Sequence, residues 1–526
     1  MNAVTPTMWS NELIAACSLM EQDKFQQAKD ALQRILRGST GESERSSAAC
    51  LLAGVYQQHG QYAEAMKVLA RALGAQPNDA RILAFLADLW GFMGEFDQAI
   101  ETANRSLAIN PNNRRLAIQR ACWRVSRPVD AVTMRREFEQ WAQAYMPNPQ
   151  PGSVLGASDR LNGRALRVGY VSGDLRRHAV YFFVAPFLHN HDPKRVESHV
   201  FMTKGGDHYS ESLKKAVGHW HDVPHLSAHE LHGLVREQQI DVLVDLSGHT
   251  SGDRLDTFYQ RAAPVQATWF GFIPTLGTRA MDYRLTDWAS CPDGAEKQYV
   301  ETPYRMSCFT AYEMPGEYNG PYASPFHENG YITMVSLNHD RKIGDDALRI
   351  WRSILKANPK AGLIIITSQP TDSGAREAFD RRLQKFNFPM DRVVVMGQLT
   401  MDKYMNLSSV ADFALDSYPI SGGVTTFHSL AMGLPVLTIR PPEPIALYAY
   451  SANTLETVGM PECIADSPEA FVKLASQWIN QPALIEAARR KSRAALQASP
   501  YMQHEARTRE LESAYLDMWH AQTMDG

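Results

Sequence analysis

The stretch Leu415-Asp416-Ser417-Tyr418-Pro419-Ile420-Ser421-Gly422-Gly423-Val424-Thr425-Thr426 reads as an apolar strand running into a small-residue turn, with a helix predicted from Phe427 to Met432. Such a turn lets an anion approach exposed backbone N–H groups. The hydroxyls of Thr425 and Thr426 at the helix start add hydrogen bonds, and the helix dipole favours the charge of a diphosphate. A nucleotide ligand is the functional reading. No Gly-Lys-Ser/Thr follows, so this is not a P-loop, and no G-x-G-x-x-G is present to make it a dinucleotide fingerprint. Because a glycine-rich strand-to-helix turn also serves purely structural ends, its meaning depends on the surrounding chain.

Around it lie short apolar runs alternating with amphipathic segments, the pattern of parallel sheets with helices on both faces. One set comprises residues 332–336, 363–367, 392–396, 411–415 and 435–439. An earlier set includes 167–172, 198–202 and 241–246. The two sets are separated by the loop-rich segment 315–330 and predict two doubly wound lobes. Ligands of such sheets bind at the carboxyl ends of the strands. The polar residues there are Ser172-Gly173-Asp174 leading to His178, Ser247-Gly248 leading to His249-Thr250, Asn338-His339 with Lys342, and the Gly422–Thr426 turn. Two histidines at strand ends are candidates for catalysis, and Lys342 is a candidate to neutralise a diphosphate. No D-x-D pair follows a strand, so leaving-group stabilisation without a metal is the expectation. No G-x-S-x-G elbow suggests a hydrolase.

Towards the N-terminus, Leu52-Ala53, Tyr56, Gly60, Ala65, Leu69, Leu73, Pro77 and Asn78 reappear 34 positions later as Leu86-Ala87, Trp90, Gly94, Ala99, Ala103, Leu107, Pro111 and Asn112. This is the tetratricopeptide period. Phe25, Ala28, Ala31 and Leu32 mark an earlier unit with its excess length in the polar loop 38–46. So short a solenoid must bury its open end, on helices of 113–145 and the domain that follows. A protein-binding surface and a structural cap are both open readings. Pro147-Asn148-Pro149-Gln150-Pro151-Gly152 then breaks any helix.

A length of 526 residues predicts about three domains. With 53 Lys and Arg against 57 Asp and Glu, a net charge of -4 argues against nucleic acid or an anionic membrane as the main partner. The six cysteines, Cys17, Cys50, Cys122, Cys291, Cys308 and Cys463, are scattered, with no C-x-x-C and no Cys/His cluster at zinc spacing. No metal site is expected. Residues 1–10 lack a basic start followed by an apolar core, and no uncharged apolar run approaches the length of a membrane span, so a cytoplasmic protein is expected.

The motifs at 167–174 through His178-Ala179-Val180, at 241–250, at Ala263-Pro264-Val265-Gln266-Ala267-Thr268-Trp269, at Asp282-Tyr283 and at 415–433, in this order and behind tetratricopeptide repeats, resemble the O-linked N-acetylglucosamine transferases of glycosyltransferase family 41, in their bacterial form. The resemblance implies a GT-B fold of two Rossmann-like α/β lobes behind an all-α repeat domain. It also implies an inverting transfer, without metal or cofactor, from a nucleotide sugar to a protein side chain. Residues 1–146 would form the repeat domain, 147–164 a linker, 165–320 the acceptor-side lobe, 321–500 the nucleotide-sugar lobe, and 501–526 a C-terminal helix. Lys342 matches the family's diphosphate-binding lysine and Thr425 and Thr426 its phosphate-binding threonines. Asn338, His339, Gly422 and Gly423 fall among the donor contacts. His178 matches an active-centre histidine and is the first choice as base or positioning group, and His249 lies in a Gly-His-Thr turn common to bacterial and plant relatives.

The chain departs from the family at several points. His428, expected among the nucleotide-sugar contacts, stands where an acidic residue of the family binds the ribose hydroxyls, and Met401, with Lys403 and Tyr404 nearby, replaces a basic or aromatic residue. The sugar-side loop has become 271–277, and a Ser-Arg pair is replaced around Leu447-Tyr448. N-acetylglucosamine from UDP-GlcNAc, placed on Ser or Thr of a protein recruited by the repeats, is the leading expectation. GDP-fucose, UDP-glucose or a nonulosonic acid donor, and a catalytically silent repeat scaffold, are the alternatives.

Overall fold

A computed structural model describes residues 10–38, 41–147, 149, 161, 163–316, 320, 323–367 and 374–524. Most of the linker read at 147–164, and the start of the chain through residue 9, lie outside the described residues.

Among the described residues, seven helices come first: α1 (Asn11–Glu21), α2 (Phe25–Arg37), α3 (Glu42–Gln58), α4 (Tyr62–Ala75), α5 (Ala80–Phe92), α6 (Phe96–Ile109) and α7 (Arg114–Val125). They pair as the repeat predicts. Gly60 and Gly94, the matched turn positions, both take positive φ, +69° and +78°, a backbone that glycine adopts without a Cβ clash. Ala65 and Ala99 are fully buried where paired helices approach. Ala53, Tyr62, Leu69, Ile82 and Leu89 share one core with Ala65, and Ala87, Phe96, Ala103, Leu116 and Trp123 share the next with Ala99. The earlier unit is present too, with Ala28 and Leu32 packed against Leu52 and Val55. The polar segment read as a loop at 38–46 is already helical from Glu42.

After α8 (Ala131–Tyr145) come β1 (Leu166–Ser172), α9 (Ala179–Asn190), β2 (Val196–Met202), α10 (His208–Lys214), β3 (His219–Asp222), α11 (Ala228–Glu237), β4 (Val242–Asp245), α12 (Leu255–Tyr259), β5 (Val265–Thr268), β6 (Tyr283–Asp287) and β7 (Thr302–Met306). The seven strands form a sheet of order β3-β2-β1-β4-β5-β6-β7, parallel throughout. Val168, Tyr170, Val200, Val242, Val244, Val265 and Ala267 are fully buried. Burial on both faces is what makes such strands read as continuous apolar runs.

A second sheet has order β10-β9-β8-β11-β12-β13. Its elements are α13 (Phe326–Asn329), β8 (Thr333–Ser336), α14 (Asp345–Ala357), β9 (Gly362–Ile366), α15 (Gly374–Lys385), β10 (Val393–Met396), α16 (Met401–Met405), β11 (Phe413–Leu415), α17 (Val424–Ala431), β12 (Val436–Ile439), α18 (Ala446–Thr457), β13 (Ile464–Ala465), α19 (Pro468–Asn480) and α20 (Pro482–Ala498). Two parallel sheets of Rossmann type behind a helical repeat make this a GT-B architecture with a tetratricopeptide domain.

The terminal helix α21 (His504–Met524) returns to the first lobe. There the Glu512 carboxylate accepts from the Asp192 N–H at 2.9 Å and lies 3.1 Å from Nδ1 of the buried His191.

The compact units do not follow the expected segment boundaries. One comprises 1–127, 338–356 and 363–398, and the other comprises 128–337, 357–362 and 399–526. Thus α8, read from sequence as part of the helical domain, belongs with the first lobe. The repeats belong with the segments that carry Lys342, α14, α15 and β10.

Candidate functional site

In the larger unit the decisive turn is held by Asp416, the residue after β11. Its buried carboxylate accepts from the backbone N–H groups of Ser417 and Gly422, both at 2.8 Å, and from the Thr438 hydroxyl of the neighbouring strand β12 at 2.7 Å. The loop between contains a cis Tyr418-Pro419 bond. Gly422 is required by what surrounds it. A Cβ there would stand 2.5 Å from the Thr426 hydroxyl oxygen, 2.9 Å from that of Thr425 and 3.0 Å from that of Ser451 on α18.

Three hydroxyls therefore converge beside one glycine Cα. The Thr426 and Ser451 oxygens are 2.8 Å apart, and Ser451 donates to the Gly422 carbonyl at 3.1 Å. Helix α17 has Gly423 as its N-cap, with no side chain capping its N-terminus, and the Cβ side of Gly423 is open space. First-turn N–H groups without a side-chain cap, the positive end of the helix dipole and adjacent hydroxyls are the chemistry of an anion site.

The first lobe repeats the device. Asp245 ends β4, and its buried carboxylate accepts from the N–H groups of Ser247 and Gly248 at 3.1 and 3.0 Å and from the Thr268 hydroxyl of β5 at 2.9 Å. Burial raises the Asp245 pKa, against the opposing pull of the Gly248 and Ser247 N–H groups. Neither aspartate was singled out from sequence. The signal was available: an Asp at or just after the end of an apolar strand, a Gly a few residues on, and a Thr at or near the end of the next strand.

His249, in the turn so built, is nearly buried. Its Nε2 lies 3.0 Å from the Leu276 carbonyl, and its ring packs on Phe138 and Trp141 of α8 and on Phe272. The ring is committed to docking α8.

His178 caps α9. Its Nδ1 accepts from the Val180 N–H at 3.3 Å and lies 3.9 Å from the Asp174 carboxylate, with 44% of the side chain exposed. Partial burial lowers its pKa; Asp174 opposes the shift, and Lys204 and Arg176 add to it. A neutral imidazole whose Nδ1 accepts carries its proton on Nε2. As placed, His178 presents a donor rather than a base.

Helices α9 and α17 touch one turn from their starts, where Phe182 packs edge-on against His428 and Phe183 against Phe427, at centroid distances of 4.8 and 5.2 Å. The larger unit thus brings the first turns of both helices, the His178 end and the Thr425–Thr426 end, to about 5.4 Å of helix from one contact.

The expectation of a ribose contact for His428 meets a different environment. The residue is 3% exposed, its Nδ1 is 2.6 Å from the Tyr312 hydroxyl, and rings of Phe182, Tyr312 and Tyr404 surround it. Burial pushes its pKa down to about 3. It sits one turn deeper in α17 than Thr425, where the aromatic core covers the helix.

In the smaller unit, Asn338 is buried just after β8, and the half-exposed His339 caps a short 3-10 turn, Asp340–Lys342, by accepting from the Arg341 N–H at 3.1 Å. Lys342 closes that turn, partly exposed. The following backbone is gripped by Arg382 of α15, whose guanidinium donates to the Ile343 carbonyl and to the Asp345 carboxylate, each at 2.7 Å, with 4% of its side chain exposed. The same guanidinium lies against Gly94 of the repeat turn, and Glu95 pairs with Lys385 at 3.1 Å. Phe92 receives Arg341 over its ring at 5.3 Å. Arg382 was invisible in the sequence because its partners lie 37 to 39 positions away along the chain.

Comparison with known proteins bears on both units. The model of glycosyl transferase family 41 matches residues 155–310 and 326–511, and a tetratricopeptide-repeat model matches 19–89 and 58–121. A barley (Hordeum vulgare) protein described as a probable UDP-N-acetylglucosamine--peptide N-acetylglucosaminyltransferase SPINDLY is 32% identical over 68% of this chain and 38% of its own length. The Arabidopsis thaliana protein of the same description is 30% identical over 68% of this chain and 40% of its own. The chain thus spans about two fifths of the curated relatives it matches. Among solved structures, a mutant of the Thermobaculum terrenum O-GlcNAc transferase aligns over 100% of both chains with a TM-score of 0.85 and 26% identity.

Proposed function

The chain belongs to glycosyl transferase family 41, and from that premise we propose that it transfers a sugar from a nucleoside diphosphate donor to a side chain of a protein. The observation that carries this is the turn before α17, where three hydroxyls and an uncapped helix start meet beside Gly422. The donor we assign is UDP-GlcNAc, the sugar nucleotide in the names of the plant relatives, and the acceptor is a Ser or Thr hydroxyl. GDP-fucose, UDP-glucose and nonulosonic acid donors are the competing arms of the test.

Departure of the nucleoside diphosphate builds negative charge, which Thr425, Thr426, the α17 dipole and the Lys342 ammonium would stabilise most at the transition state. Inversion requires the acceptor oxygen to attack opposite that leaving group. His178, with Nε2–H outward, would orient the sugar or acceptor by donating a hydrogen bond, and the acceptor proton would leave to water or phosphate. His249 acts indirectly, by docking α8. We assign His428 to the core rather than to the donor.

The test is intact-mass analysis of acceptor proteins incubated with each donor, beside calorimetric titration with UDP and GDP. A mass increment seen only with UDP-GlcNAc, reduced by roughly 10²- to 10³-fold in Lys342→Ala, is expected. His178→Asn, which keeps a capping acceptor, should lower kcat without removing a limb of the pH–rate profile; loss of that limb would make His178 the base. No binding of either nucleotide, together with unchanged modification by Lys342→Ala, sinks the reading.

A further inference from the structure

Strand β3 is the edge of the first sheet, and His219 on it stands directly opposite His199 on β2 in the parallel register. Side chains of alternate residues share a face of a strand, so Glu197, His199 and Phe201 of β2 line up with His219 and His221 of β3. Nε2 of His199 and Nε2 of His219 lie 3.3 and 3.1 Å from the same oxygen, Oε1 of Glu197, and all three atoms fall within 4.8 Å of one another. Two atoms each about 2.1 Å from a tetrahedral metal stand about 3.4 Å apart. Two edges of the cluster therefore match one face of such a site, and the third is no longer than 4.8 Å.

Its surroundings hold the donors in place. Arg167 takes the other carboxylate oxygen, Oε2 of Glu197, at 3.4 Å, which leaves Oε1 to the histidines. Nδ1 of His199 lies 3.5 Å from Nε2 of His221, whose ring stacks on Phe201 at 4.8 Å. Partners of this kind fix ring orientation in metal sites. His199 is 2% exposed. The side chain of His219 is 47% exposed, which gives an ion its entry path.

We propose that Glu197, His199 and His219 form a binding site for a borderline divalent transition-metal ion of the Zn2+ class, which staples the edge strand β3 to β2. The two-imidazole, one-carboxylate donor set selects Zn2+, Co2+ or Ni2+ over Mg2+ and Ca2+, with water in the fourth position. The site stands apart from the strand ends that carry the transferase residues, because Glu197 lies five residues, about 16 Å, before the carboxyl end of β2. Sequence spacing did not reveal it, since the ligands come from two strands and His199 and His219 are 20 positions apart.

The test uses the full chain, free of affinity-tag histidines and stripped with a chelator. Zn2+ is titrated calorimetrically, and Co2+ is followed by its visible absorption. The wild type should bind one equivalent at this site and gain thermal stability with Zn2+. His219→Gln, an exposed change that leaves the core intact, and Glu197→Gln should each weaken that binding at least tenfold and abolish the stabilisation. Absence of Co2+ absorption and Zn2+ heat in the wild type, or undiminished affinity in His219→Gln with its native circular dichroism retained, overturns the site.

Discussion

Gly422 has the hydroxyls of Thr425, Thr426 and Ser451 within 3.0 Å of where a Cβ would be. A methyl group there must push the hydroxyls away, and the Thr426–Ser451–Gly422 chain of hydrogen bonds leaves little room for that. Gly422→Ala should cost about 1–3 kcal/mol of stability. It should weaken nucleoside diphosphate binding by roughly tenfold or more, the equivalent of about 1.4 kcal/mol. Titration calorimetry with UDP checks it, and a wild-type dissociation constant in the variant would show that the hydroxyls are not the ligands.

His428 yields a pH prediction. Its folded pKa, about 3, lies below the ordinary 6.5, so between these values the unfolded chain holds a proton that the native chain does not. Stability is then complete above the unfolded value and is lost as pH falls towards the folded one, by about 1.4 kcal/mol per pH unit. His428→Gln keeps a polar partner for Tyr312 and cannot titrate. Between about pH 7.5 and about pH 5 the variant should lose about 2 kcal/mol less than the wild type in urea melts. Equal losses in the two proteins would remove His428 as the cause.

At the scale of elements, α15 acts on a segment distant from it in sequence. Arg382 is buried, it satisfies the Ile343 carbonyl directly after Lys342, and it pairs with Asp345. Asp345 is 33% exposed, so loss of the pair together with the bond to the Ile343 carbonyl should cost about 1–3 kcal/mol. Arg382→Met should therefore lower the melting temperature and, because the Lys342 turn loses its anchor, reduce transfer more than Gly-to-Ala changes on exposed turns do. Arg382→Lys should rescue little, since an ammonium cannot reproduce the two-pronged geometry. Restored activity in the lysine variant would reduce Arg382 to a charge.

The elements also show where the sequence is readable. β1, β2, β4, β8, β9, β11 and β12 were legible because strands covered on both faces are largely apolar, and the edge strand β10 because Val393-Val394-Val395 is an apolar run even though Val394 is exposed. The edge strands β3 and β7 were not, because His219-Trp220-His221-Asp222 and Thr302-Pro303-Tyr304-Arg305-Met306 face solvent in part and lack such a run. The hydroxyl-bearing turn could be read as a motif, since it is contiguous. Ser451 and Arg382 could not, because their roles exist only after distant segments meet, whereas Asp416, with its partners Ser417 and Gly422 close by in the chain, carried a local signal. His428 was misplaced for a related reason: adjacency to the threonines in sequence does not say that α17 has already entered the aromatic core one turn later.

At the scale of the whole molecule, the smaller unit joins repeat helices and the segment bearing Lys342 in one compact body. Tyr62, Phe92 and Met93 from the repeats line a cavity with Asp340, Ala378 and Phe379. Glu95 holds Lys385, and Gly344 packs on Phe96. The contacts come from α4, α5 and α6, whereas α1 and α2 pack on α3. This predicts a graded response to shortening the chain. Removal of 1–41 takes away α1 and α2 and should lower the thermal stability of the repeats while leaving UDP affinity within about twofold, or about 0.4 kcal/mol. Removal of 1–112 strips Phe92, Glu95 and Phe96 from the Lys342 turn and from Arg382, uncovering a buried guanidinium and apolar side chains, and should abolish UDP binding or folding of the remainder. Melting curves and calorimetric titration of both truncations separate these outcomes. If the longer truncation folded and bound UDP as tightly as the full chain, the repeats would be an appendage that serves only acceptor recruitment. If it fails as expected, the repeat helices hold Lys342 in position, and a protein bound to the repeats would have a direct mechanical route to the lysine proposed to contact the diphosphate.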